Sequence, residues 1–224
     1  MVTLFTLIVI TNSYNLIDGL DGLASSIGII AFFFFGIYFF LVGQTYYSMV
    51  CFAFIGALIA FLNFNWEPSR IFMGDTGALL IGFALAVITI KFIDYNHYLP
   101  VETPFKLTSS VAVGISVIII PLFDTLRVFI SRAMKKKSPF SPDKTHLHHI
   151  LMRLGFSHSG TTLIMIATNI AIICTALALD FLGDNILVPL IIGLCILLSL
   201  MLDEILKANI RRKKKEVVKN FRRD

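Results

Sequence analysis

Six apolar stretches alternate with short polar segments along this chain: 23–42, 48–62, 78–93, 109–130, 161–181 and 186–206. A helix of about 20 residues crosses a hydrocarbon core of about 30 Å. Within lipid every backbone polar group must bond inside its own segment, so runs this long and continuous read as helices. Composition agrees, with 57% hydrophobic and only 15% charged residues, against about 25% charged in a soluble domain. The predicted fold class is all-α: a polytopic integral membrane helix bundle with about six full transmembrane helices plus a partial first one. Residues 1–206 form one transmembrane domain and 207–224 a basic tail. Phe32 to Phe35 are expected to face lipid as a block, and Pro121 to kink the 109–130 span.

The first eleven residues are apolar, but as a helix they cover only about 16 Å, half a bilayer core. They lack the basic start and small-residue cleavage site of a signal peptide. They read as the second half of a membrane helix, which gives the expectation that an N-terminal part precedes them. Cys51, Cys174 and Cys195 lie inside apolar runs without metal or redox spacing and read as packing residues. The net charge of +5 resides in loops and tail without interleaved aromatics, so nucleic acid is not an expected partner.

Between the first two apolar segments, residues 12–24 read Asn-Ser-Tyr-Asn-Leu-Ile-Asp-Gly-Leu-Asp-Gly-Leu-Ala. Asn12, Asn15, Asp18 and Asp21 recur every three residues. Amides and carboxylates beside lipid-thickness runs are expensive to place, which marks a candidate site. A row of that spacing drifts around a helix, so Asn12 and Asp21 cannot share one face of a straight one. Gly19 and Gly22 are the places for a break that turns the carboxylates inward. Solvated caps at helix ends are the competing reading.

Positive charge sets the expected orientation. If this motif faces the cytoplasm, so do loops 63–77 and 131–160 and the tail, with Arg70, Arg132, Lys135, Lys136, Lys137, Lys144, Arg153 and the terminal basic cluster. The opposite loops hold only Lys106, and Lys91 can snorkel from a span. Every polar motif then gathers on one face, as a composite site requires. A transporter would instead place its polar groups near the midplane.

Met73-Gly-Asp-Thr-Gly77 puts Asp75 between glycines at a helix entrance. There a carboxylate either holds Mg²⁺ against phosphate oxygens or caps the helix. Asn63 and Asn65 either contact a ligand or satisfy loop backbone. His146, His148 and His149 lie in a basic loop, in Pro142-Asp-Lys-Thr-His-Leu-His-His149. Imidazoles beside lysines suit a diphosphate, whereas three histidines without a clear fourth ligand are weak grounds for zinc. Lys135 to Lys137 and the tail read as anchors to anionic headgroups. His97 and His158 read as structural or surface residues. Asp124 lies within a span and needs a partner or a site role, and Arg127 three residues on is the local candidate.

Taken in order, the segments 12–24, 62–83, PLFDT (121–125) and SPDKTHLHHILMRLGFSH (141–158) resemble the polyprenyl-phosphate N-acetylhexosamine-1-phosphate transferases over nearly the whole chain. The histidine segment resembles the branch that uses UDP-N-acetylglucosamine-type donors. The resemblance implies transfer of a sugar 1-phosphate from a UDP-N-acetylhexosamine to undecaprenyl phosphate, with release of UMP, as the first membrane step of a cell-surface polysaccharide. It implies Asp18, Asp21 and Asp75 as catalytic residues and Asp75 as ligand to Mg²⁺, or Mn²⁺ in its place. Asn12, Asn15, Asn65, His146, His148 and His149 would then bind substrate. It also implies a multi-pass protein of the bacterial inner membrane, with its active-site loops and C-terminus cytoplasmic. Membrane lipid and a second copy of the chain, as a homodimer, complete the expected partners.

One family feature is absent. An adjacent Asp-Asp pair, credited with activating the acceptor phosphate, belongs to an earlier loop, and no Asp-Asp occurs here. Asp203-Glu204 at the end of the last span is no substitute. The competing function is therefore a truncated, non-catalytic relative that binds lipid phosphate or nucleotide-sugar without turnover.

Overall fold

The computed structural model describes residues 1–134 and 146–221, with side chains in the last helix as far as Arg212. Lys135 to Lys137, residues 142–145 and the tail's side chains beyond Arg212 lie outside the described residues, so the anchoring roles expected of them stand without a structural account.

The chain forms nine α-helices among the described residues: α1 (Val2–Leu16), α2 (Leu23–Leu41), α3 (Thr45–Asn65), α4 (Gly74–Tyr98), α5 (Ser110–Val117), α6 (Ile119–Met134), α7 (Leu147–Leu154), α8 (His158–Ala178) and α9 (Asp184–Phe221). Five are long and apolar enough to cross a membrane: α2, α3, α4, α8 and residues 184–212 of α9. The helices α5 and α6 supply a sixth span if taken together, but they meet at an 80° bend. The expected kink of the 109–130 span forms at Ile118: Pro121 has no N–H for the Val117 carbonyl one turn back, and that carbonyl accepts from Asn169 Nδ2 at 3.2 Å instead. Pro121 falls in the first turn of α6, where a helix needs no N–H from it. Along α6 a row of residues four apart is buried: Ile120, Asp124, Val128 and Arg132.

The expected lipid-facing phenylalanine block does not form. Consecutive residues step 100° around a helix and cannot share a face. Phe32 and Phe35 are fully buried, while Phe33 is 56% exposed. Phe32 stacks on Phe54 of α3 at 4.5 Å, and Phe35 packs against Phe92 of α4 at 5.3 Å. Helix α1 lies along α4, and α2 along α3. Gly82 makes the first contact: a Cβ there would sit 2.9 Å from the Thr11 carbonyl oxygen and 3.0 Å from Tyr14 Cβ. Tyr14, wholly buried, donates its hydroxyl to the Ala24 carbonyl at 2.5 Å, tying the end of α1 to the start of α2.

The end of the bundle remote from the 12–24 motif is closed by local polar pairing. Asn96 accepts from Tyr38 Oη and from Leu107 N–H, both at 2.9 Å, and donates to the Leu107 carbonyl at 2.8 Å. Asp180, in the turn between α8 and α9, accepts from Thr108 N–H at 2.9 Å and Ser109 N–H at 2.8 Å. Asp184 accepts from Ala112 N–H in the first turn of α5 at 2.8 Å. Helix α9 continues past Lys207 without a break, so the basic tail begins as an extension of the last span.

Candidate functional site

Helix α1 stops at Leu16 and α2 starts at Leu23. The turn between them carries Asp18 and Asp21. Gly22 sits at φ +73°, the left-handed region, and a Cβ there would meet Trp66 at 2.8 Å, so only glycine fits. Asn65 supports the same turn. It accepts from Gly22 N–H at 3.1 Å and Ser25 Oγ at 2.9 Å, and donates to the Ile71 carbonyl at 3.0 Å. Its amide is buried and makes these three bonds, so Asn65 braces loop and turn. Asn12 is exposed and donates to the Ile8 carbonyl one turn back at 2.8 Å, and among the described residues no hydrogen bond ties it to the rest of its row.

Asn15 and Asp18 do converge, on Asp75. Asn15 donates from Nδ2 to Asp75 Oδ1 at 3.2 Å. Asp75 occupies the first turn of α4, and no side chain caps that helix, so the capping reading of Asp75 does not apply. Asp18 accepts from Gly74 N–H. Its carboxyl is pushed up to about 6, first by burial and then by the charge of Asp75, against the Gly74 hydrogen bond, which pulls it down. Two carboxylates and an amide thus face one spot. Among the described residues no three His, Cys, Asp or Glu side chains make a closed metal cage.

Asp21 turns the other way. It accepts from Ser69 Oγ at 2.9 Å and Ser69 N–H at 3.4 Å, and its carboxylate lies 4.0 Å from Nδ1 of His158. His158 opens α8 beside Asp21, with its side chain 42% exposed. The Asp21 carbonyl accepts from Thr162 Oγ1 at 3.0 Å. Glu67 accepts from Ser159 N–H at 2.5 Å, and the hydrogen bonds from Ser159, with the nearby His158, hold its carboxyl below the usual range.

The histidines complete the cluster. His146 and His148 stack at 5.5 Å with a 16° tilt, and His149 lies 4.3 Å from His148. A Cβ built on Gly19 would lie in ordinary contact with His148 Nε2 at 3.6 Å, so the carboxylate turn passes beside this ring. Burial pulls His148 down to about 4, and the neighbouring histidines add to this, although Asp124 opposes it. The ring is therefore neutral near pH 7. Asp124 is fully buried and does not pair with Arg127, which corrects the local partner expected for it. Its carboxylate lies 2.7 Å from His146 Nδ1 and accepts from Leu147 N–H at 2.7 Å. Arg127 instead donates to Ser199 Oγ at 2.7 Å and Asp203 Oδ1 at 2.6 Å on α9. Beside these residues an apolar cavity of about 230 Å³ is walled by Ile119, Phe123, Leu147, Leu151 and Leu202.

Sequence reasoning missed His158 and Glu67. The signal for His158 was available: it is the last residue of the 141–158 segment and directly precedes a span on the face that carries every other polar motif.

The sequence profile described as glycosyl transferase family 4 matches residues 1–93. Over 163 residues the chain is 34% identical to a probable undecaprenyl-phosphate N-acetylglucosaminyl 1-phosphate transferase of Bacillus subtilis (strain 168), covering 73% of this chain and 43% of that protein. It is 35% identical over 178 residues to a decaprenyl-phosphate N-acetylglucosaminephosphotransferase of Mycobacterium tuberculosis, covering 74% and 43%. It is 33% identical over 159 residues to an undecaprenyl-phosphate alpha-N-acetylglucosaminyl 1-phosphate transferase of Escherichia coli (strain K12), covering 69% and 41%. The chain thus spans less than half the length of these relatives.

Proposed function

Because the chain belongs to glycosyl transferase family 4, we propose that it forms the catalytic end of an enzyme that transfers N-acetylglucosamine 1-phosphate from a UDP-sugar to undecaprenyl phosphate, releasing UMP. The observation that carries this reading is the junction of Asn15, Asp18 and Asp75 with the histidine stack, at one end of an apolar bundle. A soluble, charged donor and a lipid-borne acceptor can meet only at such an edge.

The carboxylates fit a hard divalent cation. Burial and the charge of Asp75 disfavour the ionised form of Asp18, a conflict that a cation beside the two would remove. An open set of two carboxylates, completed by water and substrate phosphate, is how Mg²⁺ is commonly held, and Mn²⁺ takes similar ligands. Bound there, the cation would offset charge building on the phosphoryl oxygens. Asn15 orients Asp75 through its amide. Asp21 ties Ser69 and faces His158, holding the loop before α4 against the start of α8. Neutral His148, with His146 and His149, offers hydrogen bonds to the donor's diphosphate. The apolar cavity beside Leu147 suits part of a prenyl chain. The basic loops and tail support a cytoplasmic orientation for this end in a bacterial inner membrane.

The test is release of UMP from UDP-N-acetylglucosamine by the native protein, purified from its own membranes and supplied with undecaprenyl phosphate. Turnover should require Mg²⁺ or Mn²⁺ and disappear in Asp75→Asn. Binding of donor or acceptor without turnover would replace the transferase with the non-catalytic reading.

A further inference from the structure

We propose that Asp124 is a positioning residue for the histidine cluster: its carboxylate fixes the tautomer of His146 with the proton on Nδ1 and leaves Nε2 as the ring atom open to substrate. The functional half of this proposal rests on the transferase reading above.

A carboxylate within a membrane-thickness bundle is expensive unless both oxygens are satisfied. Asp124 has 0% exposure, and both oxygens are engaged at 2.7 Å, one with His146 Nδ1 and the other with Leu147 N–H. An ionised carboxylate only accepts hydrogen bonds, so Nδ1 must carry the hydrogen. Leu147 is the first residue of α7, so one side chain sets both the ring and the start of the helix that carries His148 and His149. His146 stacks nearly parallel on His148, which passes the orientation along the cluster. Asp124 is itself held in place, because its own helix is bound to α9 through Arg127, Ser199 and Asp203. The nearest cation in sequence, Arg127, is thereby turned away from the Asp124 carboxylate.

An asparagine keeps the shape of this side chain but reverses half of its chemistry. If its oxygen retains the Leu147 N–H, its amide nitrogen donates to His146 Nδ1 and drives the ring proton to Nε2. An aspartate-to-asparagine change beside a reacting histidine acts through the wrong tautomer. A helix cap alone would lose stability and leave the ring's proton where it was.

The native protein, labelled with ¹⁵N at histidine, reports the tautomer directly, with His146 assigned by the signal lost in His146→Gln. We expect a protonated Nδ1 in the native protein, a proton moved to Nε2 in Asp124→Asn, and kcat lowered by about a hundredfold while the donor KM stays within about threefold. A native His146 protonated at Nε2 alone overturns the proposal, and so does an Asn variant with unchanged tautomer. A tautomer that switches while kcat holds also overturns it. Should the Asn variant fail to fold, the native spectrum still decides the tautomer. The spectrum needs no substrate. A native Nδ1–H ring in a protein that transfers no sugar phosphate therefore removes the transferase reading and leaves the Asp124–His146 assignment standing.

Discussion

The two ends of the bundle treat polar groups in opposite ways. At the end built from Asn96, Asp180 and Asp184, each of these side chains meets backbone N–H groups of the 107–112 segment at hydrogen-bond distance. Carboxylates there face backbone donors. At the other end Asp18 faces Asp75, and Nδ1 of both His148 and His158 is buried without a hydrogen-bond partner among the described residues. A buried group left short of partners lowers stability. A fold that pairs one end so thoroughly and leaves the other frustrated concentrates its binding chemistry at the frustrated end.

The sharpest way to break this contrast is to remove a carboxylate from each end. Asp75→Asn should lower turnover by a hundredfold or more, about 2.7 kcal/mol of barrier, and leave thermal stability unchanged or raised, because it relieves Asp18. Asp18→Asn and Asp21→Asn should each lower turnover by at least about tenfold. Unchanged UMP release in all three would sink the composite site. At the far end Asp180→Ala should do the reverse. It strips the acceptor from two backbone N–H groups and should lower unfolding stability by about 2 kcal/mol, while turnover of the folded fraction stays at the native level. Thermal unfolding and an activity assay on the same preparations check both halves.

The contrast was only partly legible in the sequence. The spans, and the gathering of the polar motifs at one end, follow from run length and from polarity beside lipid, both local properties of the chain. What failed were inferences about partners. Arg127 is the local candidate for Asp124, but the actual partners, His146 and Asp203, lie 22 residues from Asp124 and 76 from Arg127. Packing of α6 against α7 and α9 decides them, and no spacing rule contains it. Asn65 looked free to bind because the loop's demand for hydrogen bonds, from Gly22 and Ser25, arises only when α2 packs beside it. Phe32 and Phe35 looked like lipid anchors because a phenylalanine run carries no face information until the helix has neighbours. The 80° break at Ile118, by contrast, was announced by Pro121, whose missing N–H leaves the Val117 carbonyl without its helical partner.

A pH series sharpens the same comparison. Burial places the folded-state pKa of His148 at about 4, below its usual 6.5. Between those values the unfolded chain binds the proton more strongly, so His148 contributes stability above about pH 6.5 that is lost as pH falls toward 4. At pH 5 the loss is about 2 kcal/mol. Asp18, pushed up to about 6, works with the opposite sign over much of this window. The native curve alone therefore understates His148, and the reference must be a variant that keeps Asp18. His148→Asn should lose less stability between pH 7 and pH 5 than the native protein. Parallel curves for the two proteins would mean that His148 is hydrated and not frustrated.

The smallest expected effect decides whether Asp21 belongs with the frustrated groups or with the satisfied ones. Its carboxylate is divided, with Ser69 on one side and His158 at 4.0 Å on the other. Ser69→Ala removes the hydroxyl bond and keeps the backbone N–H at 3.4 Å, so about 1 kcal/mol is at stake. If Asp21 serves mainly to tie the loop, Ser69→Ala and Asp21→Asn should lower stability alike and change kcat little. If Asp21 acts on substrate, Ser69→Ala should raise the donor KM by about threefold to fivefold as the loop loosens, while only Asp21→Asn lowers kcat. The geometry favours the second outcome. Ser69 occupies the carboxylate from the loop side alone, and the side toward His158 meets a ring nitrogen that has no hydrogen-bond partner of its own.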